Sequence, residues 1–226
     1  WRRFMEVLPL DLDELPRPLD PPGTGDFVIC GCPRTGTSLL TAFLFQPPQV
    51  VTVMEPWDGM RLPPAALFRS LREELEKTGR LRRGRLDVGH LLKHGAVRWC
   101  AEGTSAVRLR VRSDGYLLGV KWPAFWRFLD LLPNTKFLVC LRDPVHVISS
   151  FQKTGGRLVM GLDYDTRFNK KMNEHLQAAT SDIALRRILL FDYIHARLLP
   201  HLNKPNVFVV RYERWLENPS AIVDEL

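Results

Sequence analysis

The sequence predicts an α/β fold, a three-layer α/β/α sandwich around a central parallel sheet. Three observations lead there. Short apolar runs of strand length recur at 27–29, 50–54, 136–141 and 206–210. Stretches of helical period separate them, at 63–78, 145–153 and 168–198. Strands alternating with helices over 226 residues suit one parallel-sheet domain with ample chain for a core.

Taken in order, residues 1–25 are Pro-rich, with Pro16, Pro18, Pro21 and Pro22 close together, and read as an extended lead-in. The domain itself is expected over 26–226. Phe27, Val28 and Ile29 make a buried strand, Gly31 to Gly36 a turn, and Leu39, Leu40, Phe43 and Leu44 the apolar face of a helix opened by Thr37 or Ser38. Pro47 and Pro48 stop that helix, and Val50–Met54 forms a second strand ending at Glu55. Leu67, Leu71 and Leu75 stripe a helix over 63–78, and a shorter helix is expected over 86–95. Residues 107–120 alternate apolar and basic side chains around Asp114-Gly115, which predicts a β-hairpin running into Lys121. A helix is expected over 124–132, a buried strand over Lys136–Leu141, and a helix beginning near Pro144. A long helical stretch (168–198), a last strand (Asn206–Val210) and a closing helix fragment complete the chain.

The strand–loop–helix at 26–44 carries the chemistry. Such a loop points backbone N–H groups at one spot and makes an anion site suited to phosphate. Gly31 and Gly36 have the spacing of a nucleotide P-loop, but Thr37 stands where that motif needs lysine. A cation appears earlier, at Arg34. The loop therefore reads as a phosphate holder not built for ATP hydrolysis, or as a glycine-rich turn of no chemical import.

Other candidates fall at strand ends, where ligands of parallel sheets bind. Glu55 reads either as a proton acceptor beside the anion loop or as a carboxylate facing water. Lys121 reads as a ligand contact or as a lysine snorkelling from its strand. Arg142 and Ser150 could face one anion from the end of a strand and the helix after it. Asp143 is unconvincing as a Walker-type metal ligand, because Arg142 intervenes between it and the apolar run. The basic run from Lys77 to Arg85 suits a solvated loop or a rim attracting anions. His90 and His94 have i, i+4 spacing without the glutamate a zinc protease motif needs, and Cys30 and Cys32 lack a second ligand pair, so no metal site is expected.

Net charge is +7 and arginine outnumbers lysine, which favours anionic ligands. No apolar run approaches the roughly 20 residues of a membrane span. Cysteines at 30 and 140 fall in expected buried strands, which suits free thiols better than a disulfide framework. The chain opens on Trp1 with no recognisable secretory signal. A bacterial cytoplasmic enzyme is the expectation, with a luminal catalytic domain as the alternative.

Together these pieces resemble the sulfotransferases that use 3′-phosphoadenosine 5′-phosphosulfate (PAPS). Pro33-Arg34-Thr35-Gly36-Thr37-Ser38 is similar to the family's 5′-phosphosulfate loop. Arg142 and Ser150 match its Arg and Ser eight residues apart, which bind the 3′-phosphate. Tyr212-Glu213 with Pro219 resembles a late segment whose tyrosine lies near the adenine. The resemblance implies a P-loop-type fold. It places Arg34, Thr35, Gly36, Thr37, Ser38, Leu39, Arg142, Ser150 and Tyr212 at the donor, with Glu55 as general base and Lys121 and Arg34 assisting transfer. It also implies PAPS as donor without a metal, and a small-molecule or glycan hydroxyl (alcohol, sugar or phenol) as acceptor. The segments 57–112 and 155–180 are expected to shape the acceptor pocket. The pattern is closer to protein-tyrosine and heparan-type members than to the cytosolic phenol type, whose histidine base in a Lys-Thr-His setting is not found here. Many members carry a later basic, Gly-containing loop over the 3′-phosphate. None is found before Leu226, so the domain is expected to be truncated at its C-terminus. Two further readings stand beside it, a P-loop kinase-like phosphotransferase and a basic nucleic-acid-binding domain. The first lacks the Walker lysine. The second lacks aromatics interleaved with its arginines.

Overall fold

The computed structural model describes residues 25–56, 59, 62–80, 86–87, 98–99, 109, 111, 115–164 and 167–218. The strands are β1 (Phe27–Gly31), β2 (Val50–Met54), β3 (Leu86–Asp87), β4 (Arg98–Trp99), β5 (Leu117–Lys121), β6 (Lys136–Leu141) and β7 (Val207–Arg211). The α-helices are α1 (Thr37–Phe43), α2 (Pro64–Thr78), α3 (Pro144–Gln152), α4 (Arg167–Ala179), α5 (Ile183–Leu198) and α6 (Tyr212–Glu217), with 3₁₀ turns at Pro123–Phe128, Gly156–Met160 and Leu199–His201. Among the described residues the sheet runs β4-β3-β2-β5-β1-β6-β7. The five strands from β2 to β7 in that order pair in parallel, and β3 and β4 add antiparallel pairs at one edge.

The period-2 alternation of β1 explains the three layers. Phe27 and Ile29 enter a cluster with Leu40 of α1 and Trp215 of α6, on one face of the sheet. Val28 and Cys30 point the other way, into the larger cluster with Leu67 and Leu71 of α2, Val147 and Phe151 of α3, and Leu190 and Ile194 of α5. Each such fully buried side chain contributes about 1.5–3 kcal/mol. A strand covered on both faces must be apolar throughout, as β1 is.

Four expectations are corrected. Residues 117–121 do not form a hairpin arm. Strand β5 is central, with Val50–Met54 along one edge and β1 along the other, so neither edge is left for the 107–112 segment. Leu86–Asp87 is a short strand paired with Met54 rather than a helix start, while His90 and His94 lie outside the described residues. The turn after Lys121 is 3₁₀ over Pro123–Phe128. The long stretch at 168–198 is two helices, because Asp182 caps α5 by accepting from the N–H groups of Ala184 and Leu185. Cys30, Cys32 and Cys140 are buried free thiols, and Cys100 lies outside the described residues, as do residues 1–24 and 81–85.

Candidate active site

The chain reverses direction across the sheet at β1, with β5 on one side and β6 on the other. A parallel sheet opens a crevice at such a switch point, beyond the carboxyl ends of its strands. The loop between β1 and α1 fills that end. Gly31 and Gly36 hold φ of 146° and 99°, where glycine is favoured. A Cβ at Gly36 would collide with the ring of Tyr212. Arg34 sits at φ 74°, unusual for a non-glycine residue and found mostly where surrounding structure imposes it.

Arg34 is the junction of the site. Its Nε donates to Ser150 Oγ at 3.0 Å, and its carbonyl accepts from Arg142 Nη1 at 3.2 Å. The guanidinium of Arg142 also lies 4.3 Å from the centroid of the Tyr212 ring. The first loop, the end of β6, helix α3 and the start of α6 thus meet at one place. Arg142 Nε is buried without a hydrogen-bond partner among the described residues. A buried guanidinium donor left unpaired is costly, so this one suits an anionic oxygen.

Asp143 has a different occupation. Its carboxylate caps α3 by accepting from the N–H groups of Val145 at 2.9 Å and His146 at 3.2 Å. Its own N–H donates to Glu213 Oε1 at 3.0 Å, which ties the end of β6 to α6. Thr35 is buried, and its N–H and its hydroxyl both donate to the Cys32 carbonyl, at 3.2 and 2.7 Å. Thr37 is buried, whereas Ser38 and Leu39 are exposed at the start of α1.

Glu55 and Lys121 stand at neighbouring strand ends. Met54 of β2 is level with Lys121 of β5, which is level with Ile29 of β1. The Glu55 N–H donates to the Lys121 carbonyl at 2.7 Å, and the Lys121 ammonium pairs with Glu55 Oε1. The lysine side chain is 3% exposed and the glutamate 27%, so the cation is buried and the carboxylate is the partner that solvent reaches. Glu55 reaches this position through φ 43°.

Two residues not singled out by sequence feel the Glu55 charge. Asp163 is buried, and burial pushes its carboxyl from 3.8 up to about 6, with Glu55 adding to the rise and Arg127 and the Tyr164 N–H opposing it. Tyr164 has its phenol pKa raised by burial and by the charges of Glu55 and Asp163, while the Arg34 guanidinium acts the other way. Their signal in sequence was confined to the segment: they lie within 155–180, but Leu-Asp-Tyr-Asp between two helices reads as an ordinary polar loop. Among the described residues no group of three His, Cys, Asp or Glu side chains is placed to hold a metal ion, and no helix is long and apolar enough to cross a membrane.

What the fold and the site define is an α/β domain with a parallel sheet, carrying at its switch point a glycine-turned loop, two joined arginines and a carboxylate–ammonium pair. The sulfotransferase family profile matches residues 26–226, and the chain belongs to that family. It is similar to a sulfotransferase from Alicyclobacillus acidocaldarius, at 18% identity over 90% of this chain and 79% of that one, with a TM-score of 0.43. It is also similar to a sulfotransferase domain from the curacin biosynthetic pathway, at 18% identity over 92% of this chain and 72% of that domain, again with a TM-score of 0.43. No curated protein matches.

Proposed function

We propose that this chain transfers a sulfuryl group from PAPS to a hydroxyl acceptor, with Glu55 as general base. The observation that carries this reading is the contact of Arg34 with both Ser150 and Arg142, which joins the 5′-phosphosulfate loop to the Arg and Ser of the 3′-phosphate motif. A nucleotide with charge at both ends needs two cationic pockets at a short separation.

The residues fit the donor. Arg142, with its unpaired Nε, and Ser150 would hold the 3′-phosphate. Arg34 and the N–H groups of the loop, from Gly36 through Leu39, would hold the 5′-phosphosulfate. Tyr212, packed between Gly36 and Arg142, offers an aromatic surface to the adenine. Thr35 holds the loop from behind.

In the transfer, the acceptor hydroxyl gives its proton to Glu55 as its oxygen bonds to sulfur. The bond between sulfur and the bridging phosphate oxygen breaks, and that oxygen leaves with adenosine 3′,5′-bisphosphate carrying the extra charge. Lys121 and Arg34 neutralise the charge as it builds, much as cations do in phosphoryl transfer. A metal is not called for, since these cations occupy the role. The use of a glutamate base sides with the protein-tyrosine and heparan-type members.

A thermal-shift comparison tests the donor. Adenosine 3′,5′-bisphosphate at 100 times its Kd should stabilise the protein by about 2.7 kcal/mol, with ADP and AMP giving far less at equal concentration. Equal shifts for all three, or none, would remove the PAPS reading.

A further inference from the structure

Strands β6 and β7 pair in parallel to their ends, with Leu141 level with Arg211. The two residues that follow each strand meet again beyond the ladder, through two contacts. The Arg142 guanidinium lies 4.3 Å from the centroid of the Tyr212 ring, and the Asp143 N–H donates to Glu213 Oε1 at 3.0 Å. The ladder stops at Arg211, where β7 turns into α6, so the acceptor for the Asp143 N–H comes from a side chain. The Asp143 carboxylate is already spent on the N–H groups of Val145 and His146.

This second contact bears on where Arg142 points. The guanidinium is held by its Nη1, which donates to the Arg34 carbonyl at 3.2 Å, and by its face against Tyr212. Nε stays buried without a partner among the described residues. An arginine fork is planar and rigid, so the contacts that set its plane also set where an anionic oxygen must lie to bond Nε. The Tyr212 ring is one of those contacts, and its own position is fixed by neighbours. A Cβ at Gly36 would stand 2.3 Å from Tyr212 Cδ2, and the Trp215 ring meets it edge-on at 6.2 Å. Helix α6, which carries all three residues, has only six residues and too few internal hydrogen bonds to hold itself. Trp215, 4% exposed, anchors it in the core, and Glu213 anchors its first turn to the end of β6.

We propose that Glu213 is a positioning residue for the 3′-phosphate: by taking the Asp143 N–H it keeps Tyr212 against Arg142, and so fixes the guanidinium edge that meets the phosphate. Its part is indirect, through Tyr212 and Arg142. A carboxylate suits the task, because a charged acceptor bonds an N–H about twice as strongly as a neutral one. Small errors matter here, since a binding group must stay within about 0.5 Å of its productive place. This inference rests on the proposed use of PAPS and assigns the residue that aligns its 3′-phosphate contact.

The test uses the whole chain and calorimetric titration with adenosine 3′,5′-bisphosphate and with AMP, its 3′-dephospho analogue. The ratio of the two affinities reads recognition of the 3′-phosphate alone. The wild type should favour the bisphosphate. Glu213→Ala and Glu213→Met both remove the acceptor, the second keeping the stem, and each should lower the ratio by about tenfold, as expected for misplacing one charged hydrogen bond. Glu213→Gln keeps an acceptor oxygen and should restore the ratio to within about threefold of wild type. A purely structural role would lower the melting temperature and leave the ratio alone. An unchanged ratio in a folded Ala or Met variant, an equal fall in Glu213→Gln, or failure of both Ala and Met variants to fold would overturn the inference, while the wild-type preference keeps the donor reading. No preference in the wild type would instead sink the donor reading, and this inference with it.

Discussion

Asp163 shows how one side chain carries a cost its neighbours impose. Its carboxyl is driven up to about 6 first by burial. A carboxyl whose folded pKa is raised binds protons more readily in the folded state than in the unfolded one. Its contribution to stability is therefore fully present below pH 3.8 and is lost as pH rises to about 6, flat thereafter. The loss amounts to about 3 kcal/mol. Asp163→Asn removes the charge but keeps an oxygen that can accept from the Tyr164 N–H. In urea unfolding, the variant should gain about 2 kcal/mol on the wild type between pH 4 and pH 7, part of the loss having already occurred by pH 4. Parallel stability curves across that window would show that Asp163 ionises freely. No residue-by-residue reading of the sequence could find this, because Asp163 is polar, lies in a loop, and meets Asn173 of α4 only once the chain has folded.

At the scale of elements, the site is a matter of which strand ends become neighbours. Glu55 and Lys121 are 66 residues apart in the chain, and their pairing follows from β2 and β5 running parallel with Met54 level with Lys121. The strand assignments themselves were legible, because Val50–Met54 and Lys136–Leu141 are apolar enough to be buried on both faces. The placing of β5 was not. The alternation before Asp114-Gly115 carries a hairpin pattern, and only competition for sheet edges shows that 117–121 has no edge to spare. The expected role of this junction is checked by Glu55→Gln, which keeps the shape and loses the base. Turnover should fall by about two to four orders of magnitude, with adenosine 3′,5′-bisphosphate binding nearly unchanged. Full activity in that variant would mean another group takes the proton. Lys121 in the variant faces a neutral amide in place of its counter-ion, so the comparison should be made on thermal-shift-matched protein.

For the whole molecule, the decisive relation is that Arg34, in the loop after β1, and Arg142, just past the end of the neighbouring β6, meet at one place. If they grip the two ends of one nucleotide, Arg142→Ala should weaken adenosine 3′,5′-bisphosphate far more than its 3′-dephospho analogue, by about 1.5–3 kcal/mol for a charged hydrogen bond. Calorimetry showing equal losses for both would take the 3′-phosphate from Arg142. The chain alone determined the fold class, the loop, and the order of its charged residues along the strands, because hydrophobic period and glycine placement are local properties. It could not determine that Asp143 is a helix cap, that Thr35 faces inward, that β5 is central, or that two asparagines of α4 bond the backbone of Asp163 and Tyr164. Those depend on which backbone groups find partners across the sheet and between layers, and such partners are chosen only when the whole chain has packed.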